Sequence, residues 1–153
     1  MMATSRSKTS QDTAFQLMEA PGHLLRRSHQ RSYELFTQIV GSDVTRQQIA
    51  LLIALSQKPG ASQNELVGLT GFDKSTLKEM LGRMVAKKWV ERERDPEDSR
   101  AWKMHVTPEG EALLDEKMDK VRLVQEEILA PLPEDLRSVF LRCLRILAGL
   151  EQA

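Results

Sequence analysis

The sequence of 153 residues has one cysteine, few aromatic residues and no net charge. The single cysteine, Cys143, excludes an intrachain disulfide framework, and without an apolar signal-peptide core it indicates the cytoplasm. No segment approaches the roughly 18–20 apolar residues of a membrane span, so no membrane partner is expected. Hydrophobic residues still make up 41% of the chain, which excludes wholesale disorder and fits one compact domain.

The zero net charge is a cancellation between segments of opposite sign. Residues 1–46 carry a net charge of +2, residues 47–73 a net −1, residues 74–103 a net +3 and residues 104–153 a net −4. Neutrality therefore does not argue against a polyanionic partner, because a basic middle segment is available to face one. Chance patchiness on a solvated surface is the alternative interpretation.

The N-terminal third predicts a flexible arm followed by a long helix. Residues 1–12 are polar with almost nothing to bury, which is typical of a flexible arm. From residue 13 to 41 the apolar residues recur at helical spacing. Pro21-Gly22 interrupts this pattern and predicts a short lead-in before the main helix.

Three capping signals predict the next helices. Thr45 followed by Gln48 predicts the start of a helix that extends to about Gln57. Ser62 followed by Glu65 predicts a second helix, which has an apolar face of Leu66, Val67 and Leu69 and ends at Gly71. Asp73 predicts the start of a third helix, which extends through Lys88. Two short helices separated by a tight turn that contains Gly form a helix–turn–helix.

After Lys88 the hydrophobic period changes from about 3.6 to about 2 residues. Residues 89–94 and 101–106 alternate like two strands around the polar loop 95–100, which predicts a β-hairpin, or wing. Thr107-Pro108 then begins a helix to about Leu129, and Leu132-Pro133 opens a last helix with a long apolar stripe. The predicted fold class is mainly α with a small β-hairpin wing.

This order of elements resembles the MarR (multiple antibiotic resistance regulator) family of winged helix–turn–helix transcriptional regulators. The matching stretches are Gln47-Gln48 with Leu51, Leu52 and Leu55, Ser62 to Leu69, Met84-Val85, Val90 to Arg92, Asp95 to Ala101, and Val106 to Gly110. The resemblance implies one domain over residues 13–153, with the winged helix–turn–helix at about 45–107. It also implies dimerisation helices at about 13–41 and 108–151, and a homodimeric repressor on a pseudo-palindromic DNA operator.

Candidate DNA-binding residues follow from the helix–turn–helix itself. The N-terminal turns of the second helix reach base edges in the major groove. The polar residues there are Lys74, Ser75, Thr76 and Lys78. Gln63 and Asn64 begin the preceding helix and are candidates for phosphate contacts. The alternative for any one of these residues is an ordinary solvated position.

The wing supplies Arg100, Asp98 and Arg94. The resemblance implies that Arg100 enters the minor groove and that Asp98, two residues earlier, holds it. Arg94 lies near the hairpin tip and is a candidate phosphate contact. The alternative for Asp98 and Arg100 is a surface ion pair of little consequence.

The resemblance also implies a small-molecule effector, which in this family binds between the dimerisation helices and the winged helix. Residues 21–31 are similar to those of members that respond to aromatic acids or their coenzyme A thioesters, and contain the candidate anion-binding residues His23, Arg26, Arg27 and His29. Trp102 is a candidate pocket aromatic, with packing in the hairpin as the alternative. A basic solvated or dimer-facing stripe is the alternative for the other four.

Other classes of function have less support. No phosphate loop or nucleophile elbow is present, so no enzyme activity is expected. Three histidines and one cysteine show no helical metal-ligand spacing, and no metal or other cofactor is expected. Cys143 lies on the apolar stripe of the last helix, so we expect it to be packed rather than redox-active. A winged helix used only for protein contacts is the remaining alternative.

Overall fold

The computed structural model describes residues 15–153. The predicted flexible arm, residues 1–12, lies outside this range, and the single-domain boundary of 13–153 stays a prediction. The described residues fall into two compact units, residues 15–31 and residues 32–153. The described part of the first unit is a 3-10 turn, Leu17–Glu19, followed by the first half of helix α1, Pro21–Ile39. The predicted interruption at Pro21-Gly22 is therefore present.

The second unit is mainly helical with one hairpin, which confirms the predicted fold class. It contains the end of α1, then α2 (Arg46–Gln57), α3 (Gln63–Thr70), α4 (Lys74–Ala86), α5 (Pro108–Leu129) and α6 (Glu134–Leu147). Strands β1 (Val90–Arg94) and β2 (Trp102–Val106) pair antiparallel between α4 and α5. No helix among residues 15–153 is long and apolar enough to cross a membrane.

The capping signals act as the sequence predicts. Thr45 with Gln48 and Ser62 with Glu65 form complete capping boxes at α2 and α3. Gly71 ends α3 with a φ of 71°, in the left-handed region where a glycine avoids the strain of a Cβ. These local contacts set the short turn between α3 and α4.

The core of the second unit lies where α2, α3, α4 and the hairpin meet. Its fully buried side chains include Leu51, Leu52, Leu55, Leu66, Leu77, Met84, Val90 and Met104. Leu35 and Phe36 from the second half of α1 join this core. Arg46 donates a 2.7 Å hydrogen bond to Ser32 Oγ and stacks on Tyr33, which joins α2 to the same part of α1.

The turn after α4 is joined tightly to the start of α5. The Thr107 hydroxyl donates to the Lys88 carbonyl and accepts from the Gly110 amide at 3.1 Å. A Cβ on Gly110 would lie 2.1 Å from the Trp89 carbonyl oxygen. The absence of a side chain at Gly110 lets α5 approach the end of the helix–turn–helix.

An ion pair joins α5 to the loop before α2. The Lys117 ammonium is buried and lies 2.8 Å from Asp43 Oδ2, with Glu116 Oε1 at 3.4 Å. The hydrogen bond between them raises the pKa of Lys117 and lowers the pKa of Asp43. The charged forms of both residues are therefore favoured in the folded chain.

Four details differ from the sequence-based predictions. Helix α4 ends at Ala86 rather than Lys88, because Lys88 adopts a left-handed φ of 60° that turns the chain into β1. Each strand begins one residue later than predicted. Leu69, predicted to lie on a packed face, is 54% exposed. Cys143 is also exposed, because no residue of α6 is buried within this chain.

Candidate nucleic-acid interface

The first turn of α4 presents the predicted polar residues to solvent. Asp73 caps the helix by accepting from the Thr76 amide at 2.8 Å. Lys74, Ser75 and Lys78 are exposed, and the described structure records no hydrogen-bond or ion-pair partner for their side chains. A helix N-terminus with two unpaired cations suits an anionic ligand such as DNA.

Thr76 differs from its neighbours. Its hydroxyl donates a 2.6 Å hydrogen bond to Asp73 Oδ2, so that donor is already used inside the protein. This contact and the amide bond together lower the pKa of Asp73. In the free protein the Thr76 hydroxyl proton is thus held by the helix cap, and the role of Thr76 in binding DNA stays a prediction.

The start of α3 is held by a second cap that includes an ion pair. Lys58 Nζ lies 2.8 Å from Glu65 Oε1, and the Ser62 amide donates to Glu65 Oε2 at 2.8 Å. The Lys58 contact is the main reason that the pKa of Glu65 falls to about 2. Gln63 is half-buried and Asn64 exposed at the first turn of this helix.

The wing loop is ordered by side chains that hold its backbone. Asp95 Oδ1 accepts from the Glu97 amide at 2.9 Å, and the Asp95 amide donates to the Ala101 carbonyl at 3.1 Å. Asp98 Oδ1 accepts from the backbone amide of Arg100 at 3.0 Å. Asp98 therefore holds the backbone of Arg100, while the Arg100 side chain is exposed and has no recorded partner within residues 15–153.

Two candidate residues of the wing, Arg94 and Trp102, contact each other, which the sequence does not predict. Arg94 lies opposite Trp102 in the hairpin register, and its guanidinium is 4.2 Å from the centre of the indole ring. The same guanidinium donates to the Ser99 carbonyl. Arg92 also approaches this ring, at 5.3 Å. The symmetric hairpin predicted from the sequence would pair Arg94 with Ala101, so only the observed register places Arg94 opposite Trp102.

Trp102 therefore belongs structurally to the wing. Its side chain is half-buried, packs on the core cluster and stacks with arginines of the opposite strand. This arrangement matches the alternative of hairpin packing. The role of Trp102 in binding a ligand stays a prediction.

The other four candidate effector residues lie on the first half of α1. His23 is half-buried, and Arg26, Arg27 and His29 are exposed. The helical spacing of three residues between Arg26 and His29, and of four between His23 and Arg27, places each pair on one side of the helix. Their role in binding an anion stays a prediction. No group of three metal-ligating side chains occurs in the described part of the chain.

An exposed helix–turn–helix followed by a two-stranded wing defines a winged-helix DNA-binding regulator. The sequence model of the MarR family matches residues 42–101. A relative, the HTH-type transcriptional repressor NicR of Pseudomonas putida, is 32% identical over 143 residues, which cover 93% of this chain and 90% of NicR. The chain belongs to the MarR family of transcriptional regulators, and it is not an enzyme.

Solved structures of regulators share the fold over nearly the whole chain. PcaV of Streptomyces coelicolor in complex with its natural ligand has a TM-score of 0.85 and 32% identity, covering 89% of this chain and 96% of PcaV. BpsR of Bordetella bronchiseptica, whose DNA binding is regulated by 6-hydroxynicotinic acid, has a TM-score of 0.86 and 28% identity, covering 90% of this chain and 99% of BpsR. Regulators of this family bind small-molecule effectors rather than cofactors.

Proposed function

We propose that this protein is a homodimeric repressor that binds a pseudo-palindromic operator and leaves it when a small aromatic acid, or its coenzyme A thioester, binds. The observation that carries the DNA-binding part is the exposed cationic surface of Lys74, Lys78 and Arg100, which has no ion-pair partner within residues 15–153, on a protein whose net charge is zero. The extended similarity to the repressor NicR supports the direction of regulation.

The dimer is supported by an apolar face on α6 that no other part of residues 15–153 covers. Leu136 is 47% exposed, Val139 56% and Leu147 70%, all on α6. An exposed apolar helix face of this kind is typical of a surface that binds another protein molecule. A second copy would bury these residues and bring two recognition helices to one duplex.

The effector class is supported by relatives and by the residues of α1. BpsR responds to 6-hydroxynicotinic acid, which is an aromatic acid. Arg26 and Arg27 offer guanidinium groups that bind carboxylates through paired hydrogen bonds, and His23 and His29 add ring donors. We therefore assign recognition of the effector's acid group to this part of α1.

The DNA-binding part is tested with a duplex that the protein selects from a randomised pool. We expect its affinity to fall steeply with salt concentration, because Lys74, Lys78 and Arg100 release counterions from phosphates. Arg100→Ala should weaken binding about tenfold or more. Failure to select any duplex, or undiminished affinity of Arg100→Ala, would contradict the proposed interface.

The effector part is tested by titrating the same complex with benzoic, nicotinic and cinnamic acids, their hydroxylated forms and their coenzyme A thioesters. Fluorescence anisotropy of the labelled duplex reports release. We expect one class to release DNA, and Arg26→Ala or Arg27→Ala to raise the concentration needed without changing DNA affinity. No release by either set would reject the aromatic effector and leave DNA binding standing.

A further inference from the structure

The peptide bond between Ser99 and Arg100 is held on both sides by side chains of the wing. The Arg94 guanidinium donates to its carbonyl oxygen, and Asp98 Oδ1 accepts from its amide at 3.0 Å. Rotation of this peptide would break both contacts. The direction in which the Arg100 side chain leaves the backbone is consequently restricted by Arg94 and Asp98.

Arg94 is itself restrained by Trp102. The guanidinium lies 4.2 Å from the centre of the indole ring, within the range of a cation–π contact, and the two residues are cross-strand partners. Trp102 is half-buried and packs on the core, so the position of its ring is restrained. A chain of contacts thus runs from the core through Trp102 and Arg94 to the backbone of Arg100.

The planar guanidinium of Arg94 suits this role better than an ammonium would. It stacks one face on the indole while an N–H in its plane reaches the Ser99 carbonyl. A lysine would keep the charge, but a compact ammonium cannot stack and donate along a fixed plane in the same way. Substitution of Arg94 by lysine therefore keeps the positive charge and removes the stacked, hydrogen-bonded geometry.

We propose that Arg94 and Trp102 are positioning residues that aim Arg100 at DNA, and that Arg94 is not itself a phosphate contact. This inference rests on the proposed binding of DNA by the wing. Because the loop is already ordered in the free protein, less conformational entropy is lost when Arg100 binds the duplex. The affinity for DNA is then higher because the side chain of Arg100 already points in the direction required for binding.

The test measures affinity of the full-length protein for the duplex selected by the parent protein. Arg94→Lys and Trp102→Leu should each weaken binding about tenfold, and Trp102→Phe, which keeps an aromatic face, should recover most of the loss. Arg92→Lys is the matched control, because Arg92 approaches the same ring without bonding to the Ser99 carbonyl. We expect its effect to be less than about twofold.

A double-mutant cycle with Arg100→Ala separates positioning from direct contact. If Arg94 acts through Arg100, Arg94→Lys changes affinity less than about twofold once Arg100 is alanine. Near-parental affinity of Arg94→Lys, or effects of Arg94→Lys and Arg100→Ala that multiply, would overturn the inference. A parent protein that selects no duplex would instead overturn the proposed function.

Amide hydrogen exchange gives a readout that does not need DNA. The Arg100 amide is bonded to Asp98, so we expect it to exchange several-fold faster in Arg94→Lys and Trp102→Leu, and at the parental rate in Arg92→Lys. Amides of α2 serve as an internal check that each variant is folded. Unchanged exchange at Arg100 in Arg94→Lys would show that Arg94 does not order the loop.

Discussion

Gly110 and Glu65 show how single residues shape the helix–turn–helix and its connection to α5. Gly110 has no Cβ, and this allows the start of α5 to pack directly against the Trp89 carbonyl. Glu65 matters through its charge, because it completes the α3 cap and pairs with Lys58. The sequence predicts the capping box of Glu65 from spacing alone, whereas the close approach at Gly110 becomes visible only once α5 is placed.

Replacing Gly110 by alanine should lower the free energy of unfolding by about 2–3 kcal/mol. A Cβ there would meet the Trp89 carbonyl oxygen at 2.1 Å and Val106 Cγ1 at 2.8 Å, so α5 would have to shift. Urea denaturation measures the change. Gly68→Ala in α3 is the control, since nothing lies within 4 Å of its Cβ position. It should stabilise the helix by about 0.5–1 kcal/mol.

The stability that Glu65 provides should depend on pH in the acid range. Its pKa is about 2 in the folded chain against 4.5 for an ordinary glutamate, so the unfolded state takes up a proton first as pH falls. The contribution is therefore complete above pH 4.5 and is lost as pH falls towards 2. The difference in unfolding free energy between the parent and Glu65→Gln should shrink over that interval. A constant difference would contradict the Lys58–Glu65 contact.

At the scale of elements, short-range signals predict the helices well and the contacts between them poorly. Capping residues lie within one turn of the backbone groups that they satisfy, so α2, α3 and α5 begin where Thr45, Ser62 and Thr107 indicate. The contact of Lys117 with Asp43 spans two distant elements, and no local pattern reports it. The same applies to the bond from Arg94 to the Ser99 carbonyl in the wing.

Removing only the acidic partner of the ion pair between α5 and the loop before α2 should destabilise the protein more than replacing its buried cation by an apolar side chain. Asp43→Ala leaves the buried Lys117 ammonium with only Glu116 nearby, whereas Lys117→Met removes the buried charge and keeps the packing. Thermal unfolding should therefore show a lower midpoint for Asp43→Ala than for Lys117→Met. The reverse order would mean that Lys117 relaxes to solvent when Asp43 is removed.

At the scale of the molecule, two surfaces of different chemistry lie on different elements. The basic excess is in residues 74–103, which form α4 and most of the wing, and the acidic excess is in residues 104–153, which include the end of β2 together with α5 and α6. The exposed apolar face of α6 belongs to the acidic part. The proposed DNA interface and the proposed dimer interface therefore lie on separate parts of the chain.

Val139→Glu should convert the proposed dimer into a monomer and weaken operator binding. Val139 is 56% exposed in the single chain, so the glutamate costs little in the monomer and acts on the interface. Sedimentation velocity measures the association state. Ser138→Glu adds the same charge about 100° round the helix and should leave the dimer intact. A Val139→Glu protein that stays dimeric would place the interface elsewhere.

The sequence by itself determined the helices, the wing and the family of this protein. Hydrophobic period, caps and turn residues act over a few neighbours, and a single chain displays them in full. The tertiary structure decided which polar groups remain available. It showed that the Thr76 hydroxyl donates to Asp73, that Arg94 stacks on Trp102 and bonds to the Ser99 carbonyl, and that Cys143 is exposed. Side-chain availability depends on partners brought together by folding, which spacing along the chain does not specify.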